Sequence, residues 1–416
     1  MRARIVAVGS ELLTPFHVDT NSLAITERLN DIGCQVVGKA VVGDDVVEIR
    51  RLVEAAIGAV EVLVVTGGLG PTEDDVTREA VAHALGLPLE IEEAIVDRIR
   101  RRFAMRGLAM PEINRRQAMV PRGAYVLENA NGTAPGLCVE REGTLMVLLP
   151  GPPREMTPML EAVIRDRLAP ASGGMTLARR VVKVAGMTES DVDTVAQPVY
   201  GRWTSAGVPI ETTILATLGQ IELHLTARAA DRAEADRALG TAASELQAVL
   251  GHAVISVDGR SLEAVVGDLL RAAFWRVAVA ESCTGGLLTS RLTDVPGSSD
   301  YVDRAAVCYS NRAKTAWLGV PSTLIAEHGA VSEAVARAMA EGVRAEAGTE
   351  VGIGVTGIAG PGGGSAEKPV GTVAIAVVSD GETRVRTCRF VGAREQVKDQ
   401  AVRAALNLLR RMLLGV

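Results

Sequence analysis

Short β-branched runs alternating with amphipathic stretches occur twice in this chain, and that alternation is its strongest constraint. In the first part RIVAVG, QVVGKAVVG, EVLVVTGG and TLMVLLPG are separated by NSLAITERLNDIG, VVEIRRLVEAAIGA and DVTREAVAHALG. Apolar runs of this length between helical periods predict a parallel sheet covered on both faces. The second occurrence opens at SLEAVVGDLLRAAFW, a helix with Ser261 as its cap. It continues through RVAVAES, a helix from residue 284, AAVCYS, NRAKTAWLG and SEAVARAMAEGVRAEAG, then VGIGVTG, GTVAIAVV and a terminal helix from Arg394. Between the two parts, RRVVKVAGM predicts a strand and TESDVDTVAQPVY a helix capped by Thr188 or Ser190. ETTILATLGQIELHLTA predicts two strands around Leu218-Gly219, followed by the long helix DRAEADRALGTAASELQAVLG and the strand HAVIS. The expected fold class is α/β: two layered α/β domains with predominantly parallel sheets, joined by a small α+β domain. The expected boundaries are 1–172, 173–258 and 259–416, with PASGGM (170–175) as the first linker.

Composition narrows the function classes. Hydrophobic residues make up 48% of the 416, enough for full-sized cores, and the 23% charged residues suit a globular chain. Lys+Arg 44 against Asp+Glu 50 gives a net charge of −6, and aromatic residues are only 3%. That balance argues against a chain-wide nucleic-acid surface and against base-stacking platforms. The five cysteines are scattered without a CxxC pair and read as reduced thiols. The five histidines show no HExxH spacing, which disfavours a zinc site. MRARIVAVGSELL reads as a first strand and not as an export peptide. No apolar run approaches the ~18 residues that span a bilayer. The expectation is a soluble, cytoplasmic processor of small molecules, with no membrane association.

In VTGGLGPTEDDVTREA (65–80) a strand ends at Val65, Gly67, Gly68 and Gly70 allow close backbone approach, and Thr72 to Asp75 open a helix. Free amides and the helix dipole there favour an anion such as phosphate. The carboxylates Glu73, Asp74 and Asp75 would repel a bare phosphate unless one of them holds a divalent cation shared with it. The competing reading is that Thr72 and the acids only cap the helix. GSELL (9–13), VGDD (42–45), NGTAPG (131–136) and LPGPPREM (149–156) also lie at strand ends or between strands, and ligand crevices of open α/β sheets form at carboxyl ends. Asp44 and Asp75 are expected to meet there. Arg154 is either available to a phosphate or carboxylate, or a surface residue behind a Pro-Pro helix start.

In AESCTGG (280–286), Ser282 sits at the turn after a strand, and amides around Thr284, Gly285 and Gly286 are candidates to hold an oxyanion. The serine needs a base, and YSNRAK (309–314) supplies one: Asn311 caps a helix and Lys314 lies one turn in. A lysine in a desolvated crevice is pushed toward its neutral form and can take a serine proton. The alternative makes Ser282 a cap and Lys314 a solvated residue. Cys283 is the rival nucleophile; its side chain should point away from that of Ser282, toward the core. VTGIAGPGGGSAEKPVGT (355–372) is a long glycine-rich loop between strands. Its amides, Gly362 and Gly363 among them, would wrap a phosphate with Thr356 adding a hydroxyl, unless the loop is a disordered lid. Ser299, in GSS, and Arg394 are further candidates for the same phosphate.

GSELL, DTN (19–21), TGGLGPTEDD, NGTAPG and LPGPPREM, in this order and spacing, resemble the N-terminal domain of the CinA family, which is similar to the molybdopterin-binding fold. The resemblance implies that Asp44 and Asp75 serve metal and substrate in a pyrophosphatase acting on ADP-ribose with Mg, Mn or Co. TPFHVDTN departs from the family's LLGxxVDTN, so Pro15, Phe16 and His17 stand where the base or ribose pocket is expected. AESCTGG, PGSS, YSNRAK, GAVSE and GIAGPGGGSAEKPVGT resemble the nicotinamide-mononucleotide deamidase domain, from about 260 to 416. Carried over, the nucleophile falls on Ser282 and the general base on Lys314, with supporting roles on Ser299, Tyr309, Thr356 and Arg394 and no cofactor. The middle section takes the place of a KH-like domain without its GXXG clamp, as a spacer or dimer element, and a homodimer is implied. Other readings are a molybdopterin-handling enzyme and a binding role linked to competence or DNA damage.

Overall fold

The first β-branched runs become β1 (Arg2–Val8), β2 (Gln35–Val42) and β3 (Val62–Thr66), with α1 (Asn21–Asp31) and α2 (Val46–Glu54) between them. This computed structural model describes every residue except Ala206 and Leu218. The chain divides into two units, Met1–Ala178 with Ala227–Ala238 and Arg179–Thr226 with Leu239–Val416. In the first unit α3 (Thr77–Leu85), a ribbon of β4 (Leu89–Ile91) and β5 (Met119–Pro121), and α4 (Glu93–Ala104) follow β3. Then come β6 (Tyr125–Leu127), β7 (Gly136–Arg141), β8 (Thr144–Leu149), α5 (Pro153–Val163) and the short α6 (Ala169–Ala171). The main sheet runs β2-β1-β3-β8-β7-β6. β1 pairs parallel with β2 and β3, and β3 parallel with β8, while β7 is antiparallel to both its neighbours.

Alternation along β3 explains why both faces are covered. Leu63 and Val65 pack with Ile49, Val53 and Val81 of α2 and α3, whereas Val62 and Val64 pack with Ile25, Leu29 and Leu160 of α1 and α5. A run with no polar position inside the sheet suits only this sandwiched setting.

The middle section contains β9 (Thr176–Val184), α7 (Glu189–Tyr200), β10 (Ile210–Thr217), β11 (Gln220–Ala229), α8 (Arg232–Leu250) and β12 (Val254–Ser256). Its sheet order is β10-β11-β9-β12. Thr188, not Ser190, caps α7, in a capping box with Asp191. Of the expected turn at Leu218-Gly219, Leu218 lies outside the described residues.

The last section begins with α9 (Leu262–Ala273), capped by Ser261, which accepts the Ala264 amide. β13 (Val277–Glu281), α10 (Leu287–Thr293), β14 (Val302–Val307), α11 (Asn311–Leu318), α12 (Ser322–His328) and α13 (Glu333–Ala347) follow. β15 (Val351–Gly357), β16 (Thr372–Ser379), β17 (Thr383–Arg389) and α14 (Arg394–Leu413) complete the chain. The sheet order is β14-β13-β15-β16-β17, parallel through β15 and antiparallel beyond it. The glycine-rich loop therefore joins two antiparallel neighbours. No described helix is long and apolar enough to cross a membrane.

Candidate active site

The parallel half of the last sheet brings Ser282 and Lys314 together. Ser282 follows β13, with its amide donating to Val355 of β15 at 2.9 Å, while the Cys308 amide after β14 donates to Glu281 at 2.7 Å. Those two bonds place the turn at the middle of the sheet's carboxyl edge. Lys314 lies one turn into α11, whose N-cap is Ser310, accepting from the Ala313 amide; Asn311 is the first helical residue and not the cap. Lys314 Nζ is 3.0 Å from Ser282 Oγ, 3.0 Å from the Cys308 carbonyl and 3.5 Å from that of Tyr309.

Lys314 is only 1% exposed, and burial pushes its pKa below the ordinary 10.5. The same three contacts are met by an ammonium donating to all three oxygens and by a neutral amine that donates to the two carbonyls and accepts the Ser282 hydroxyl proton; burial favours the neutral form. Cys283 lies in the core cluster beneath the sheet, and burial pushes its thiol up to about 11. It is a protonated core residue at neutral pH, as its position after Ser282 predicted.

Arg394 Nη2 donates to Tyr309 Oη at 2.9 Å and Nη1 to the Gly360 carbonyl at 2.6 Å, so it ties the strand-end tyrosine to the glycine-rich loop. Thr356 is buried, and its hydroxyl donates to the Ala330 carbonyl at 2.8 Å. Ser299 is exposed in the 3-10 turn Ser298–Asp300 and makes no hydrogen bond to Ser282 or Lys314. Gly362 and Gly363 lie in the exposed span of the loop, which is anchored by the Ser365–Lys368 turn and by Lys368 Nζ on the His328 carbonyl at 2.7 Å.

Of the expected oxyanion amides of Thr284, Gly285 and Gly286, the two glycine amides are already engaged. Gly285 N donates to the Ser282 carbonyl and Gly286 N to Glu281 Oε2, so neither is free. Among the described residues, the amides of Cys283 and Thr284 donate to no oxygen, and Thr284 Oγ1 is buried without a partner. The responsible residue is Glu281, which the sequence reading missed. Fully buried, it accepts from Gly286 N, Leu288 N, Thr289 N and Thr289 Oγ1 at 2.6–3.1 Å. A carboxylate at the start of α10 satisfies amides that a helix cannot pair itself and complements its dipole. α10 begins at Leu287, so Ser282 is no helix cap.

In the first unit the loops at the carboxyl edge are cross-linked. Asn21 Nδ2 donates to the Gly151 carbonyl at 2.6 Å and lies 3.3 Å from Thr66 Oγ1. Asp44 Oδ2 accepts from Ser10 N and Oγ, both at 2.8 Å. Asp75 accepts from Gly70 N at 2.7 Å, Thr72 N at 2.8 Å and Thr72 Oγ1 at 2.5 Å. The helix starts at Thr77, so Thr72 to Asp75 form a closed turn ahead of it and do not open it. Gly67 and Gly68 are left-handed, and a Cβ there would collide with the Val8 carbonyl and Thr77 Oγ1 respectively. Their first duty is the turn's own packing. Arg154 is exposed and its guanidinium has no partner among the described residues, at the N-terminus of α5 behind Pro152 and Pro153.

Arg78 is a second residue the sequence reading passed over. Almost completely buried, it donates to the Leu69 and Gly70 carbonyls at 2.6 and 2.9 Å and leaves Nε unpaired. It puts a positive charge behind the Asp75 turn. No group of three His, Cys, Asp or Glu side chains able to hold a metal ion occurs among the described residues. The two carboxylates differ: both oxygens of Asp75 already accept hydrogen bonds, whereas Asp44 Oδ1 has no hydrogen-bond donor among the described residues and is open to a hard cation.

An α/β protein with a buried serine–lysine pair at one sheet edge and an acidic, glycine-turned loop at another is the class this geometry defines. Residues 4–170 match the family model described as "Probable molybdopterin binding domain", 179–256 the damage-inducible protein CinA KH domain, and 259–413 the CinA C-terminal domain. The chain is 45% identical over 422 residues to a CinA-like protein of Koribacter versatilis, covering all of both chains. It is 43% identical over 415 residues to a CinA-like protein of Solibacter usitatus, covering 100% of this chain and 99% of that one. A solved CinA superfamily protein from Klebsiella pneumoniae is 37% identical, covers 37% of this chain and 97% of its own, and has a TM-score of 0.36. The chain belongs to the CinA family.

Proposed function

We propose that this protein is a hydrolase of pyridine nucleotides, whose last domain converts nicotinamide mononucleotide to the acid and ammonia. The observation that carries this reading is the 3.0 Å contact between a buried lysine amine and Ser282 Oγ. Neutral Lys314 takes the proton as Ser282 Oγ bonds to the carboxamide carbon, and the carbonyl π pair moves onto oxygen. The Cys283 and Thr284 amides are the donors left to meet that oxyanion. Lys314 returns its proton to the nitrogen, the C–N bond breaks and ammonia leaves an ester on Ser282. Water, deprotonated by the same amine, hydrolyses the ester. Arg394, held between Tyr309 and Gly360, is the cation for the substrate phosphate. This domain needs no cofactor for these steps. Ammonia release from the mononucleotide tests the reading: Ser282→Ala abolishes it, and retained release sinks the mechanism.

The acidic loop favours a second activity, cleavage of a nucleotide pyrophosphate such as ADP-ribose in the first domain. A divalent ion such as Mg, Mn or Co, held by Asp44 and Asp75, would neutralise charge on the pyrophosphate when bound. Arg154 would bind a phosphate oxygen, while Arg78 supports the loop from behind. The protein then acts on small nucleotides in the cytoplasm, as a homodimer and without nucleic acid.

A further inference from the structure

A cleft of about 540 Å³ lies between the end of β9, the start of α7 and the face of α14. It is separate from Ser282 and Lys314 and falls on none of the motifs that carry the family resemblance. We propose that it binds a nucleoside monophosphate or a ligand of that chemistry: a dianionic phosphate attached to a planar, partly apolar group.

Three guanidinium groups line this cleft, Arg386 from β17 and Arg403 and Arg411 from α14, against a single acid, Glu189. Arg403 is paired through Nε with Asp399 and through Nη1 with Gln220. Arg386 and Arg411 are exposed and have no hydrogen-bond or ion-pair partner among the described residues. Their positive charge is therefore free for an anion, and guanidinium forks match phosphate oxygens in pairs. Phe390, Leu408 and Ile221 supply an apolar wall in the same cleft. Asn407 accepts from Arg410 with Oδ1, which leaves its Nδ2 donors for a ligand acceptor. A concave, largely apolar cleft with a few convergent polar groups, in the size range of small-molecule pockets, suits a ligand of this size.

The experiment is calorimetric titration of the full chain with AMP, with adenosine and inorganic phosphate as the two halves of the probe. AMP should bind, more weakly as salt rises, and each half should bind less tightly than the whole. Both arginines are exposed, so Arg386→Ala, Arg411→Ala and the double Arg386→Glu/Arg411→Glu variant leave the core intact. Each single change should weaken AMP by roughly tenfold and the double by a hundredfold or more, with ammonia release from the mononucleotide unchanged. AMP affinity in the double variant equal to that of the unaltered protein would overturn the proposal. So would absence of AMP binding together with a change of oligomeric state in the double variant, which would make this cleft a contact between copies of the chain.

Discussion

Replacing Lys314 by methionine keeps most of the side-chain volume and removes only the amine that touches Ser282. Without it the Ser282 hydroxyl has no base within 3.0 Å among the described residues. General-base assistance contributes on the order of 10²- to 10⁴-fold, so Lys314→Met should lower kcat/KM for deamidation by that factor, about 3–5 kcal/mol of transition-state stabilisation. Initial rates of ammonia release across pH provide the assay. In the unaltered protein, activity should rise with pH through the depressed Lys314 pKa, because only the neutral amine accepts the proton; the variant should lack that limb. Stability gives an independent reading. Between the folded-state pKa and 10.5 the unfolded chain binds more protons at this lysine than the native one, so stability rises with pH across that window. The gain should vanish in Lys314→Met, read from urea unfolding at several pH values. Deamidation within tenfold of the unaltered enzyme, with the rising limb intact, would refute the base assignment.

Two further predictions concern residues that shape the loops. Glu281→Gln turns one carboxylate oxygen into a donor facing donors at the start of α10, and should cost about 2–3 kcal/mol. Urea unfolding measures this, and a change below about 0.5 kcal/mol would remove Glu281 from its place as the internal cap. Asp75→Asn replaces an acceptor of three hydrogen bonds and a hard metal donor. AMP formation from ADP-ribose should fall by about tenfold or more, with ammonia release unchanged; equal losses in both assays would contradict two independent sites.

Much of the architecture was legible because both sheets are buried on both faces, so runs such as Val62–Val65 contain no polar position to confuse the period. β17 was not legible: TRVRTCR carries three arginines in seven residues along an edge strand, and such a pattern reads as loop. The ribbon of β4 and β5 escaped for a similar reason, being three residues long on each side. Ser282 and Lys314 could be paired because Ser282 directly follows β13 and Lys314 lies one turn into the helix that follows the neighbouring strand β14. Which amides near Ser282 are free could not be read, since Glu281 consumes that of Gly286 only once the turn is folded. The start of α3 was misplaced for a related reason. Asp75 folds back on Gly70 and Thr72, so the acids that resemble a helix cap close a turn two residues earlier.

The central claim is that Ser282 forms the covalent intermediate, with Lys314 as its base. Mass spectrometry of the protein quenched during turnover of nicotinamide mononucleotide tests it most directly. An ester-linked acyl adduct on Ser282, absent from Ser282→Ala and present in Cys283→Ala, is the predicted result. An adduct on Cys283, or continued ammonia release by Ser282→Ala, would contradict it.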